Sequence, residues 1–331
     1  MSGFADELTD LVRALAKEAD PVPDGQLSAL WSNVRELGLT GIGIPEDKGG
    51  SGGELDDLLV VIRELARAGV DTPIVEAATA AFAIGAADAD GRFDTVVTHD
   101  ELDLSGPSLS GDLGVVAFAP LARRAVVIGV AGLAVFELAD ADIEAVVDIA
   151  GRPSGRVRLT DSPCTHADVH ADAAAERLVL ARSAALIGGC WGAYDMTRRY
   201  VVERHQFGAP LVEISAVTGN LAHMAVGIRT AEAALRRAVK VAQGGGNSAL
   251  RRLSAAATAR IAAAQCATAV ARTAHQLHGA VGITTEYGLH RFTRSLWAQR
   301  DADRSELSWC GRLGAAALAV DEETFWDQLS A

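Results

Sequence analysis

A segment in the second half of the chain combines residue types that bind anionic ligands. It reads ERHQFGAPL, and its central residues are Arg204, Gln206, Phe207 and Gly208. A guanidinium fork matches the oxygen atoms of a phosphate or pyrophosphate group. The same residues could instead end a helix with a glycine and one hydrophobic anchor, so the segment alone leaves both interpretations open.

A second segment, which follows another long apolar stretch, contains small residues at close spacing. It reads QLHGAVGIT, begins at Gln276 and includes Gly279, Ala280 and Gly282. Small residues let a ligand approach the backbone closely. A glycine-rich loop by itself is weak evidence for cofactor binding, so its interpretation depends on the first segment.

Long helices are predicted to position both segments. Apolar residues at spacings of three and four predict helices over 172–204, 212–243 and 248–277, with a shorter fourth near 313–320. Helices of this length joined by short connections are typical of an antiparallel bundle.

The middle of the chain has a different pattern of residue types. Between residues 92 and 165, short runs rich in β-formers alternate with Gly, Pro, Ser and Asp, which predicts a small antiparallel sheet of five or six strands. The predicted strands are 96–98, 115–118, 125–130, 133–138 and 157–159.

The first ninety residues are again helical in pattern, with a glycine-rich loop over 37–53 that no helix could cross. These changes in sequence pattern predict three domains: an N-terminal helical domain over 1–91, a small β domain over 92–168 and a C-terminal helical bundle over 169–331.

The composition excludes several classes of partner. A net charge of −13 argues against nucleic acid, which is bound by clustered Lys and Arg. No apolar run reaches the roughly 18 residues that span a bilayer. The acidic first twenty residues do not resemble a targeting peptide, which predicts a cytoplasmic protein. The four cysteines are widely spaced, in no pattern that predicts a metal site or a disulfide framework.

Taken in this order, the two segments resemble the acyl-CoA dehydrogenase family. The C-terminal helical domain of that family carries Arg-x-(Gln/Thr)-Phe-Gly and then Gln-x-x-Gly-Gly-x-Gly. Residues 36–53 and 64–73 are also similar to motifs of its N-terminal region. The resemblance implies a mainly α fold with a small central β domain and a C-terminal four-helix bundle.

The resemblance also implies FAD as cofactor. Arg204 would pair with the pyrophosphate, and Gln206 and Phe207, followed by Gly208, would line the nucleotide site. The second segment would receive the ADP half of an FAD that a neighbouring subunit mainly holds. Its implied binding residues are Gln276, Gly279, Ala280 and Gly282.

The chain departs from the family in its middle region. Family members carry a Thr-Glu-Pro-x-x-Gly-Ser-Asp loop and a Trp-(Ile/Val)-(Thr/Ser) strand that hold the flavin ring, and neither occurs over 92–165. The chain therefore resembles the reduced subunit of heteromeric actinobacterial-type enzymes, in which a second subunit, in an arrangement such as α2β2, would hold the ring. The implied reaction is α,β-desaturation of an acyl-CoA thioester, sterol-derived thioesters included, with electrons passing to an electron-transfer flavoprotein.

That reaction needs a carboxylate base. Counting from the glutamine of the second segment, the usual catalytic glutamate falls on Asp303, which is one methylene shorter and is expected to pair with Arg304. An alternative family position near the start of the preceding helix misses Glu176 by two residues. Two readings stay open beside the shared site: a self-sufficient homo-oligomer that uses Asp303, and a catalytically silent structural subunit.

Overall fold

The computed structural model describes residues 3–17, 19–20, 22–86, 92–130, 132–167, 169–206 and 208–330. The chain forms two compact units. The first unit contains residues up to 62 together with 70–181, and the second contains 63–69 together with the residues from 182 onward. The predicted division into three domains stays a prediction.

Short helices and one sheet make up the first unit, and a glycine-rich loop joins two of the helices. The loop is held by backbone hydrogen bonds, since the Gly43 N–H donates to the Gly52 carbonyl (2.7 Å) and the Gly52 N–H donates to the Ile44 carbonyl (2.9 Å). The helices are α1 (Gly3–Lys17), α2 (Leu30–Glu36), α3 (Leu55–Arg67) and α4 (Ile74–Ile84), and the last turns of α3 belong to the second unit.

Six strands form the sheet, in the spatial order β1-β3-β4-β6-β2, with β5 paired to β6. They are β1 (Thr95–Thr98), β2 (Ser108–Ala117), β3 (Arg124–Ile128), β4 (Leu133–Glu137), β5 (Asp142–Val147) and β6 (Pro153–His166). Leucine, valine and phenylalanine side chains from β2, β3, β4 and β6 build the core of this sheet.

The structure corrects the predicted sheet in two respects. First, β1 and β3 pair in parallel, so the sheet is mixed rather than antiparallel. Residues 125–128 of β3 are completely buried, which is the setting in which parallel pairs occur. Second, β5 was not predicted, because its side chains are mostly exposed and it carries no buried apolar alternation.

The second unit is helical. Its helices are α5 (Ala171–Glu203), whose first turns belong to the first unit, α6 (Ser215–Gln243), α7 (Ala249–His278), α8 (Leu289–Asp301), α9 (Glu306–Leu318) and α10 (Glu322–Ser330). Helix α7 contacts α6, α8, α9 and α10. No helix in the described ranges is long and apolar enough to cross a bilayer.

The predicted bundle omitted two helices, α8 and α10, and displaced another. Helix α8 was not predicted because it is short, polar and preceded by a glycine-rich loop, although it buries Leu289, Leu296 and Gln299. The helix predicted over 313–320 is α9, which begins seven residues earlier, where the Ser305 hydroxyl accepts a hydrogen bond from the Ser308 N–H (3.2 Å).

Helix α5 packs tightly against the end of α3. A Cβ atom at residue 188 would overlap the Arg63 carbonyl, and one at residue 192 would overlap both the Arg67 carbonyl and the ring of Phe292. The carbonyl groups of Arg63 and Arg67 belong to the backbone, so they cannot move away as a side chain could. Glycine is therefore required at both positions.

We expect Gly192→Ala to lower the free energy of unfolding by about 1 to 3 kcal/mol, the usual cost of overpacking. Gly219→Ala on α6 is the matched control, because a Cβ there meets no atom within 4 Å. That substitution should raise stability by about 0.5 to 1 kcal/mol through helix propensity. Chemical denaturation of both variants measures the difference, and equal stability would contradict the packing argument.

Candidate functional site

One tyrosine brings the two candidate binding segments together at one end of the second unit. The Tyr200 ring stacks on His278 with the ring centroids 4.5 Å apart and the planes 24° from parallel. The Tyr200 hydroxyl also donates to the His278 carbonyl at 3.3 Å. His278 is the last residue of α7, and Tyr200 lies one turn before Arg204. The ends of α5 and α7 are therefore fixed to each other.

The first segment forms a small hairpin directly after α5. Its strands are β7 (His205–Gln206) and β8 (Ala209–Pro210), and Gly208 in the turn has a φ of +83°. The Arg204 carbonyl accepts a hydrogen bond from the Leu211 N–H at 2.8 Å, which closes the hairpin. Phe207 lies outside the described residues, so its predicted contact stays a prediction.

Arg204 is exposed at the base of this hairpin. Its backbone N–H donates to the Tyr200 carbonyl at 2.8 Å, so the main chain is held in place. Within the described residues, no side chain forms an ion pair or hydrogen bond with its guanidinium group. A fixed backbone with an unpaired guanidinium group suits a phosphate ligand better than a structural role.

The second segment lies at the end of α7 with most of its residues exposed. Gln276 in the last helical turn, Gly279 and Ala280 all face solvent. Gly279 caps the helix with φ 60° and ψ −140°, a conformation that only glycine adopts readily. Gly282 is buried, and a Cβ there would lie 2.7 Å from the Cβ atom of His278. Its role is therefore close packing, while the other three residues offer an open surface.

Two histidines stabilise this end of the helix. The His278 Nδ1 atom lies 2.7 Å from the Ala274 carbonyl, and the His275 Nε2 atom lies 3.0 Å from the Thr293 hydroxyl. Burial lowers the pKa of both imidazoles from the usual 6.5, so both are neutral at neutral pH. They are packing residues beneath the segment and add no charge to it.

The structure pairs Asp303 with a residue distant in sequence. Its Oδ2 atom accepts a hydrogen bond from the Arg182 Nε at 2.8 Å, and the two side chains are only 14% and 3% exposed. The sequence predicted Arg304 as the cation, and the partner that the structure provides is Arg182. Asp303 has a φ of +59°, so a left-handed backbone orients this side chain. Sequence spacing could not reveal a contact across 121 residues.

Two further side chains, those of Gln299 and Arg260, belong to this buried cluster. The Arg182 Nη1 donates to the Gln299 side-chain oxygen at 2.8 Å. Arg260, which is 1% exposed, donates to the carbonyls of Gln299 (3.0 Å) and Arg300 (2.7 Å) at the end of α8. Burial, with a contribution from the charge of Arg182, lowers the pKa of Arg260 to about 10, and the charge of Asp303 opposes that shift. Asp303 is thus the counter-ion of Arg182, and its charge also acts on Arg260, where α5, α7 and the end of α8 meet.

Sequence reasoning missed Tyr200, Arg182, Gln299 and Arg260. A tyrosine one turn before the arginine segment carries no signal of its own. The buried arginines resemble ordinary charged positions of a solvated helix face. Among the described residues, no group of three or more His, Cys, Asp or Glu side chains is placed to hold a metal ion.

Comparisons with known proteins agree with this architecture. A family model described as the acyl-CoA dehydrogenase N-terminal domain matches residues 3–91, and one described as the acyl-CoA dehydrogenase C-terminal domain matches residues 170–300. The acyl-CoA dehydrogenase IpdE2 of Mycobacterium tuberculosis is 28% identical over 270 residues, which is 81% of this chain and 80% of that protein.

Solved structures share the fold. A structure described as the Tcur3481-Tcur3483 steroid ACAD G363A variant superposes with a TM-score of 0.86 at 24% identity, covering 95% of this chain and 98% of the other. The ChsE4-ChsE5 complex from Mycobacterium tuberculosis superposes with a TM-score of 0.83 at 21% identity, covering 97% and 98%. Since the two family models together match more than half of its residues, the chain belongs to the acyl-CoA dehydrogenase family.

Proposed function

We propose that this chain is a subunit of an FAD-dependent acyl-CoA dehydrogenase, and that it contributes contacts to the ADP and pyrophosphate portion of a flavin shared across a subunit interface. The observation that carries the proposal is the Tyr200–His278 contact, which joins the helix ends that carry the two candidate segments, beside an Arg204 whose guanidinium group has no partner among the described residues. Two segments distant in sequence then present one guanidinium group and a row of small exposed residues to a single ligand.

The residues present fit the nucleotide half of FAD. Arg204 would hold the pyrophosphate, because a guanidinium fork bonds two phosphate oxygens at once. Gln206 and Gln276 would offer amide groups to the nucleotide, and Gly279 and Ala280 would let it lie against the backbone. When bound, FAD supplies the hydride acceptor for desaturation of the acyl group.

We propose that the proton leaves Cα of the thioester by another route than Asp303. A general base has to accept a proton, and a protonated Asp303 would leave the Arg182 guanidinium buried without its counter-ion. Breaking a buried pair in this way costs about 3 to 5 kcal/mol, which opposes base catalysis at this position. We therefore assign the base to the partner subunit.

The names of similar proteins support a paired assembly. Two structures that share the fold are described by pairs of subunits, one as a steroid ACAD and one as a complex. By that analogy we propose a hetero-oligomer such as α2β2, a sterol-derived acyl-CoA substrate, an electron-transfer flavoprotein as electron acceptor and a cytoplasmic location.

We expect Arg204→Ala to weaken FAD retention by about 10- to 100-fold, because a charge-assisted hydrogen bond contributes about 1.5 to 3 kcal/mol. Arg236→Ala on α6, which removes another exposed arginine, is the control and should leave retention unchanged. Flavin absorbance after dialysis of the assembled oligomer measures the effect. Equal retention in the two variants would remove Arg204 from the flavin site.

We expect Asp303→Asn and Arg182→Met to lower the melting temperature and to reduce turnover to a similar extent, because each breaks the same buried pair. Turnover is measured in the reconstituted oligomer with an artificial electron acceptor, after FAD loading has been checked. A true base contributes about 100-fold or more to the rate. If the turnover of Asp303→Asn is about 100-fold or more below that of Arg182→Met, the chain is a self-sufficient enzyme that uses Asp303 as its base.

A further inference from the structure

Arg177, on the second turn of α5 in the first unit, is a buried arginine that the proposed function does not use. It is 5% exposed. Its guanidinium group lies 4.7 Å from the centre of the Phe82 ring, and its Nη2 donates to the Ile42 carbonyl at 2.6 Å. One neutral acceptor and one aromatic face are the polar contacts that the described residues give it.

This guanidinium group lacks a counter-ion among the described residues. Its Nε atom is buried without a hydrogen-bond partner, and its Nη1 donates to no described residue. Burial lowers the pKa of Arg177 to about 10, and no carboxylate of the described residues opposes that shift. Burying an unpaired charge costs several kcal/mol, so the folded protein gains from any anion that reaches this group.

Two other buried arginines, Arg152 and Arg182, have carboxylate partners. Arg152, also in the first unit, is 6% exposed and lies over the ring of Phe118, as Arg177 lies over Phe82. Its Nε, however, donates to the Asp148 carboxylate at 2.7 Å. Arg182 is paired with Asp303 in the second unit. Arg260 donates to backbone carbonyls, but the charges of nearby carboxylates, Asp303 first among them, act on its guanidinium group. Among the described residues no carboxylate acts on Arg177 in this way, which is the feature that distinguishes it.

Gly43 lies directly beside the guanidinium group of Arg177. Gly43 has a φ of +82°, and a Cβ atom on it would lie 3.0 Å from the Arg177 Nη1. The hydrogen bond from the Gly43 N–H to the Gly52 carbonyl holds this part of the loop. Since residue 43 is glycine, it places no side chain against Nη1.

We propose that the Arg177 guanidinium group, bordered by Phe82, the Ile42 carbonyl and Gly43, binds the carboxylate group of a small organic acid. A carboxylate fits better than a phosphate, because a monoanion loses less hydration energy beside the Phe82 ring than a dianion does. The carboxylate would accept hydrogen bonds from Nη1 and supply the counter-ion that the described residues do not provide.

Thermal unfolding of the purified protein over a series of sodium acetate concentrations tests the proposal. We expect a saturable rise of about 2 to 4 °C when acetate is about tenfold above its dissociation constant. Arg177→Met should abolish this rise. Arg152→Met, which removes a buried arginine that already has its carboxylate, should keep it. Sodium chloride and sodium phosphate at the same ionic strength should give no saturable rise.

A glycine pair tests the site with Arg177 in place. Gly43→Ala puts a methyl group beside Nη1 and should abolish the acetate response, whereas Gly49→Ala should keep it. Gly49 also has a positive φ, +76°, but a Cβ there meets no atom within 4 Å, so it controls for backbone strain. An acetate response that survives both Arg177→Met and Gly43→Ala would overturn the proposal. So would the absence of a response in the unaltered protein, or saturation by phosphate but not by acetate.

Discussion

Helix α5 lies against the end of α3 only because glycine occupies residues 188 and 192, where a Cβ atom would overlap carbonyl groups of α3. With the helix held there, its last turn brings Tyr200 onto the end of α7, and Arg182 faces Gln299 and Asp303 from its middle. Both candidate sites of the second unit thus depend on backbone contacts that a single methyl group would prevent.

The second unit combines small apolar side chains with buried arginines. Aromatic residues make up only 5% of the chain, and α7 turns an almost unbroken row of alanines toward its neighbours. Small side chains let helices lie close together. Arg182 and Arg260 are buried among these helices, and their guanidinium groups bind the carbonyls of α8 or the Asp303 carboxylate. Each buried guanidinium group then requires an acceptor, which determines the chemistry of the interior.

The sequence predicted much of this fold, and its errors have identifiable causes. Helices α5, α6 and α7 were predicted to within a few residues, because long amphipathic stretches with capping signals are determined locally. The parallel pairing of β1 with β3 depends on a connection that local patterns do not reveal. The resemblance to a family identified the two binding segments, whereas the Tyr200–His278 contact and the Arg182–Asp303 pair join residues more than seventy positions apart. The predicted site residues themselves stay predictions.

The backbone at Asp303 bears on how the reaction is divided between subunits. A φ of +59° is unusual for any residue other than glycine, and aspartate tolerates it better than glutamate because its short side chain can bond locally. The left-handed conformation and the 2.8 Å bond to Arg182 reinforce each other, since the shorter side chain fits the pair and the pair offsets the strain of the backbone. A glutamate here would adopt this backbone conformation less readily, and its carboxylate would lie one methylene farther from the chain when it met Arg182. The local structure therefore favours a structural carboxylate at this position, which is consistent with a subunit that contributes binding surface to a flavin and leaves proton abstraction to its partner.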